Sequence, residues 1–164
     1  MGVLPTKARD HFALPEPVDG LWRRYRQRMP YLVRCRPEVM DGLSRLRASG
    51  WRVAIVTNGT ADNQPGKIQR TGLAEAVDAY ALSGIEGIRK PDTGRFEIAA
   101  KRCSADLADR GWMVGDHLIA DISGGQAGLR TVWIDRGTWP GHEHDADHVA
   151  TDVLQAMEIL QAER

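Results

Sequence analysis

The segment Trp51–Thr57, reading WRVAIVT, constrains the fold more than any other stretch. It is a short β-branched apolar run bounded by Gly50 on one side and Asn58-Gly59 on the other. That pattern predicts a strand buried on both faces, which needs helices above and below it. The flanking sequence supplies them. Pro37 opens a helical stretch at a position that needs no N–H donor, Val39, Leu43 and Leu46 mark its apolar side, and Gly50 suits its C-terminal end. Downstream, a helix-like stretch around Lys67–Val77 precedes a short strand, Ala79–Leu82. An amphipathic stretch, Phe96–Cys103, then leads to a second strand-like run, Trp112–Gly115. A helix over Ile119–Leu129 is expected despite its three glycines, followed by a strand at Arg130–Ile134. Thr138–His148 reads as a loop, and Val149–Leu160 as a closing helix with Val149, Val153, Ala156, Met157 and Leu160 on one face. Short apolar strands alternating with helices predict βα units around a parallel sheet, an α/β fold.

The chain has 164 residues, enough for one well-filled core. Its formal charge is zero, which argues against a nucleic-acid binder driven by phosphate neutralisation. No apolar stretch approaches the roughly 20 residues of a membrane span. Cys35 and Cys103 cannot make a disulfide framework, so a reducing, cytoplasmic setting is expected. The neutral sum hides unlike parts. Residues 1–36 carry Lys7, Arg9, Arg23, Arg24, Arg26, Arg28, Arg34 and Arg36 against Asp10, Glu16 and Asp19. Within them, Val18–Met29 has helical periodicity through Val18, Leu21, Trp22, Tyr25 and Met29, and Pro30 should end it. The arginines fall mostly off that stripe, as on a solvated helix face, or as an attraction for an anionic partner.

In open parallel sheets, ligands bind beyond the carboxyl ends of the strands. Three such places carry polar chemistry: Thr57-Asn58-Gly59, then Arg89-Lys90-Pro91-Asp92, then Gly115-Asp116 with Asp121 five residues on. A hydroxyl and a backbone turn can bind an oxyanion, a lysine can balance its charge, and two carboxylates can hold a hard cation such as Mg²⁺. Together they suit phosphoryl transfer, where positioning and charge neutralisation supply most of the catalysis.

These residues resemble motifs of the haloacid dehalogenase (HAD) superfamily, Rossmann-like hydrolases that are mostly phosphatases. Val56-Thr57-Asn58-Gly59-Thr60 is similar to the family's second motif, and Arg89-Lys90-Pro91-Asp92 to its third. Val114-Gly115-Asp116-His117 through Asp121 is similar to the fourth, followed by Gly128-Leu129 and the strand Thr131–Ile134. The resemblance, which covers about 36–160, implies substrate binding by Thr57, Asn58, Gly59 and Lys90. It implies catalytic parts for Thr57 and Lys90, and a Mg²⁺ ion held by Asp116 with Asp121 in support. A small phosphorylated substrate, or phosphate, is the implied partner.

One departure matters. The family's first motif is an apolar strand ending in Asp-x-Asp, whose first aspartate attacks phosphorus. Residues 1–17 offer only Asp10, with no β-branched run before it, and the one Asp-x-Asp, Asp145-Ala146-Asp147, lies in a polar loop. Residues 6–36 resemble the tail of a helical cap, so the chain is expected to begin inside that cap. The division expected is a cap remnant over 1–36 and an α/β core over 37–164 that lacks its usual first strand. Weak or no turnover follows. In the family the absent strand lies between those ending at Thr57 and Gly115. Stranded backbone groups there would cost about 1–3 kcal/mol each. Three outcomes are therefore expected: the flanking strands close on each other, another chain or a second copy closes the open sheet edge, or the chain folds poorly. A degenerate anion-binding or interaction module is the alternative to a hydrolase.

Two weaker signals complete the reading. His142, His144 and His148 with Glu143, Asp145 and Asp147 can bind a metal adventitiously, but the Gly-Pro-rich surroundings favour a solvated loop. Gly124-Gly125 is no dinucleotide fingerprint, because no G-x-G-x-x-G follows a strand.

Overall fold

The computed structural model describes residues 3–109, 111–122 and 127–163. The chain begins with two helices, α1 (Val3–His11) and α2 (Val18–Leu32), then α3 (Pro37–Ala48) leads into β1 (Ala54–Thr57). Next come α4 (Gln64–Arg70), α5 (Leu73–Ala76), β2 (Ala79–Leu82), α6 (Ser83–Glu86) and α7 (Gly94–Arg102). The chain closes with β3 (Trp112–Gly115), β4 (Arg130–Ile134), β5 (His148–Ala150) and α8 (Val153–Ala162). All strand pairs are parallel, and helices flank them, as the alternation predicts.

The described strands form two sheets. β1 pairs with β2 in the register Ala54↔Ala79 to Thr57↔Leu82. β3, β4 and β5 form the other, with Trp112↔Arg130 and Val132↔His148 in register. Between β1 and β3 there is no ladder. The expected closure of the flanking strands on each other does not occur. Its physical reason is the layer beneath: α3 and α8 pack together under both sheets. Leu43, Leu46, Met157 and Leu160 form one core with Val77, Val132, Ile134 and Ala150, and Ile55 and Val114 rest against it. Sliding the sheets together would uncover that shared layer.

Local chemistry explains several departures from the sequence reading. Pro30 does not end α2 but sits buried in its last turn, its ring against Gly66 of α4. The stretch 67–77 is split, because Gly72 takes a left-handed conformation (φ +77°) that starts α5 afresh. The closing helix begins at Val153 rather than Val149: the Asp152 carboxylate accepts from the Leu154 and Gln155 amides and fixes the N-terminus there. Upstream of that cap, His148–Ala150 form β5. Of the expected helix over Ile119–Leu129, residues 119–121 make a turn, Ile122 and Ala127 are in 3-10 conformation, and residues 123–126, with Gly124-Gly125, lie outside the described residues. Among the described residues no helix is long and apolar enough to cross a membrane.

Candidate functional site

The polar cluster is built where β1 ends. Thr57 closes the strand, and its Oγ1 accepts from the Gly59 amide at 3.2 Å, folding the chain into a tight turn. The Gly59 carbonyl is held in turn by Ser83 Oγ and the Gly84 amide, both at 3.2 Å. Gly84 must be glycine, since a Cβ there would lie 2.3 Å from the Ala61 nitrogen. This turn and the loop after β2 are locked together through Asn58. Its Nδ2 donates to the Lys90 carbonyl (2.9 Å), and its Oδ1 accepts from the Lys90 amide (2.8 Å). The Asn58 carboxamide is thus spent largely on positioning Lys90.

Lys90 reaches inward from that clamp. Its Nζ donates to the Val56 carbonyl at 2.8 Å and to Asp121 Oδ1 at 2.5 Å, and both side chains of the ion pair are only 8% exposed. Asp121 lies in the turn after β3, where its other oxygen accepts from the His117 amide at 3.0 Å. Gly115 makes room for it, because a Cβ there would fall 2.2 Å from Asp121 Oδ2. One ammonium therefore ties the end of β1 to the end of β3. Thr57, Asn58, Gly59, Lys90 and Asp121 come together as one cluster. Asp116 stands at its edge, its side chain 51% exposed and its Oδ2 3.4 Å from Arg136 Nε.

Sequence reasoning missed Arg95 and Ser83. Arg95 is completely buried, and its Nη2 donates to the Thr57 carbonyl at 3.1 Å, while Nε and Nη1 have no partner among the described residues. Burial pushes its guanidinium below the usual range, with Glu86 pulling the other way. An arginine in the first turn of an amphipathic helix reads as a surface residue, so only the adjacent Phe96, which places that turn against the sheet, signalled it.

The resemblance brings Mg²⁺ to this end of the sheet. Asp121 already has both oxygens engaged by N–H donors, which leaves Asp116 as the open carboxylate, next to a guanidinium. Mg²⁺ usually takes one or two carboxylates with waters and substrate oxygens. Among the described residues no three His, Cys, Asp or Glu side chains gather to hold a metal. The residues present do not by themselves fit the ion. The histidine-rich loop likewise assembles no site: His142 stacks edge-on against Trp139, His144 against Trp133, and His148 lies by Glu163. Asp147 is occupied by Thr131, whose amide and hydroxyl it accepts at 2.7 and 2.9 Å.

Comparison with known proteins agrees with the motifs. The family model for haloacid dehalogenase-like hydrolases matches residues 4–128. A phosphoserine phosphatase from Thermus thermophilus is 38% identical over 141 residues, covering 85% of this chain and 54% of its own length. A ribulose-1,5-bisphosphate 5-phosphatase from Halopiger xanaduensis is 34% identical over 149 residues, covering 87% of this chain and 60% of its own. The chain thus spans little more than half of these curated relatives. Among solved structures, an HAD phosphatase from Thermococcus onnurineus superposes with a TM-score of 0.71 at 27% identity, over 93% of this chain and 68% of that one. On these grounds the chain belongs to the haloacid dehalogenase-like hydrolases.

Proposed function

We propose that this chain carries the phosphate-binding half of a phosphatase-type hydrolase site for a small phosphorylated metabolite. The observation that carries the reading is Lys90: a buried ammonium held between Val56 and Asp121, beside the hydroxyl and turn of Thr57-Asn58-Gly59. Thr57 Oγ1 accepts from Gly59 and keeps its own O–H to donate to a phosphoryl oxygen. Lys90 balances charge that develops there. The named substrates of the relatives are small phosphorylated metabolites, which supports the class. In this reading 1–36 acts as a cap remnant over a core spanning 37–164, in a cytoplasmic protein. Mg²⁺ would find only Asp116 open to it among these residues, since Asp121 is held by Lys90 and the His117 amide.

Of the site's carboxylates among the described residues, Asp121 is held by Lys90 and the His117 amide, and Asp116, though open, stands half-exposed at the cluster's edge beside Arg136. That observation favours a second reading for these 164 residues, anion binding without hydrolysis. Calorimetry with inorganic phosphate and an assay with p-nitrophenyl phosphate and Mg²⁺ separate the two. We expect phosphate binding, weakened about tenfold by Thr57→Val (roughly 1.4 kcal/mol), with little or no phosphate released. Robust Mg²⁺-dependent turnover abolished by Asp116→Ala would establish the hydrolase and overturn the inactivity. Absence of phosphate binding would sink both readings.

A further inference from the structure

The last two carbonyls of β1 are each taken by a buried cation. Lys90 Nζ donates to the Val56 carbonyl at 2.8 Å, and Arg95 Nη2 to the Thr57 carbonyl at 3.1 Å. Successive carbonyls of a strand point to opposite edges, so the two cations clasp the strand end from both sides. Their charges are balanced differently. Lys90 has Asp121 at 2.5 Å. Among the described residues Arg95 forms no ion pair, and its Nε and Nη1 find no hydrogen-bond partner, although the residue is 0% exposed. Glu86, the acid that pulls on it, is paired instead with Arg102 at 2.7 Å. Packing alone does not account for such a residue. An apolar side chain at 95 would fill the space without desolvating a charge, as its neighbours Phe96 and Ala99 do.

We propose that Arg95 is a positioning residue of the phosphate site: it holds the Thr57 turn through the Thr57 carbonyl and places behind it a buried positive charge that an anion on the turn balances. The proposal rests on the anion reading of Thr57-Asn58-Gly59 and gives that reading an unspent charge. Asn58 spends its carboxamide on Lys90, and the charge of Lys90 is met in large part by Asp121. Neutral donors alone discriminate poorly between a phosphate and an uncharged oxygen ligand. A guanidinium bonded to the same threonine supplies the difference. It keeps its proton at any working pH, and out of water its pull on an anion is screened far less than that of a surface arginine. That pull scales with the charge of the ligand. The favoured substrate class is therefore a phosphate monoester, which carries close to two charges near neutrality, over esters that carry one. In the empty site the same charge is a burden, because no carboxylate repays its desolvation. Arg95 thus exchanges stability of the unliganded chain for affinity.

The test measures phosphate affinity by calorimetry, and thermal melting in phosphate-free buffer, on the full chain and its variants. Arg95→Met keeps the bulk and removes the charge. It should bind inorganic phosphate about tenfold more weakly, yet melt at the wild-type temperature or about 2–4 °C above it. Arg95→Gln keeps a donor for the Thr57 carbonyl without the charge, and should lose as much affinity as Arg95→Met. Arg95→Lys restores the charge and should recover most of the lost affinity. Phenyl phosphate and phenyl sulfate, similar in shape, differ by one negative charge at about pH 8. The preference for the phosphate ester should shrink several-fold in Arg95→Met. The role is overturned if Arg95→Met or Arg95→Gln binds phosphate within about twofold of the wild type, if Arg95→Lys recovers nothing, or if the ester preference is unchanged. It is also overturned if Arg95→Met loses heat stability together with affinity, as a purely structural residue would. A wild-type chain that binds no phosphate retires the anion reading itself, whereas wild-type binding that is indifferent to residue 95 retires this role alone.

Discussion

The two sheets use one device at their N-terminal ends and differ in what surrounds it. Asp78, immediately before β2, accepts the Val53 amide at the foot of β1 at 2.8 Å. Asp147, immediately before β5, accepts the Thr131 amide at the foot of β4 at 2.7 Å. Each carboxylate pins the register of a parallel pair where the ladder has no earlier bond to do so. Around Asp147 the pin is closed by neutral groups: the Thr131 hydroxyl donates to it, and Thr131 is 1% exposed. Around Asp78 it is closed by charge, with Arg47 at 3.0 Å and Arg52 at 3.6 Å, both on the surface. β4, at the centre of the larger sheet, is almost fully buried, whereas β1 in the smaller one is only half-buried and its pin is held from outside. The candidate-site turn at the end of β1 therefore sits on the less deeply anchored of the two sheets.

The largest test of this contrast is the single ion pair that ties the sheets at their other end. Lys90→Ala leaves Asp121 buried and uncompensated, and should lower stability by about 3–5 kcal/mol in urea unfolding. Lys90→Met combined with Asp121→Leu should recover most of that loss, because no unpaired charge is then buried. If the double variant is as unstable as the single one, the pair is not what joins the sheets.

Next come matched deletions in the two sheets. Ile134→Ala, at the buried C-terminal end of β4, should cost about 2–5 kcal/mol, whereas Ile55→Ala in β1 should cost distinctly less, since its side chain is only partly buried. Equal losses would show that β1 is as firmly packed as β4. Removing the pins follows. Asp147→Ala orphans two donors of Thr131 and Asp78→Ala one amide, at about 1–3 kcal/mol for each buried donor. The urea midpoint of Asp147→Ala should therefore fall further.

Much of the fold was legible in short apolar runs. Trp112–Gly115 and Arg130–Ile134 form strands with the bounds their composition predicts, because a β-branched run too short for a helix has few other ways to bury itself. β5 was not legible. Val149 and Val153 happen to continue the helical stripe of Ala156 and Leu160, and only Asp152, a good N-cap residue, signals the true start. At the site, the spacing of Thr57, Lys90 and Asp116 located the cluster but not its wiring. That Asp121 serves Lys90, that Asn58 clamps the Lys90 backbone and that Arg95 holds the Thr57 carbonyl are long-range pairings with no local signature. The separation of β1 from β3 has no local signature either: it depends on α3 and α8, whose side chains form one core under both sheets.

The smallest expected effect separates the two pins by pH and salt. Burial pushes both carboxyls up, but hydrogen bonds outweigh it and hold both below their ordinary value: the Val53 amide with Arg47 and Arg52 for Asp78, and Thr131 with the more distant Arg130 for Asp147. A carboxyl depressed in the folded state binds its proton more readily when unfolded. Its stabilisation is therefore full above the unfolded value, roughly pH 4, and is lost as pH falls through the folded value. Thermal melts between about pH 5 and pH 2 should show this loss for the wild type, reduced in Asp78→Ala and in Asp147→Ala. Salt then distinguishes them. At about 1 M the screening length shrinks to roughly 3 Å, which weakens the surface arginines at Asp78 by a few tenths of a kcal/mol, the worth of exposed pairs. It leaves the Thr131 bonds almost untouched. Salt should accordingly erase part of the acid-sensitive stability that Asp78 contributes and little of that from Asp147. Equal salt responses would mean that the smaller sheet is pinned by its hydrogen bond alone, and that the charge around it is incidental.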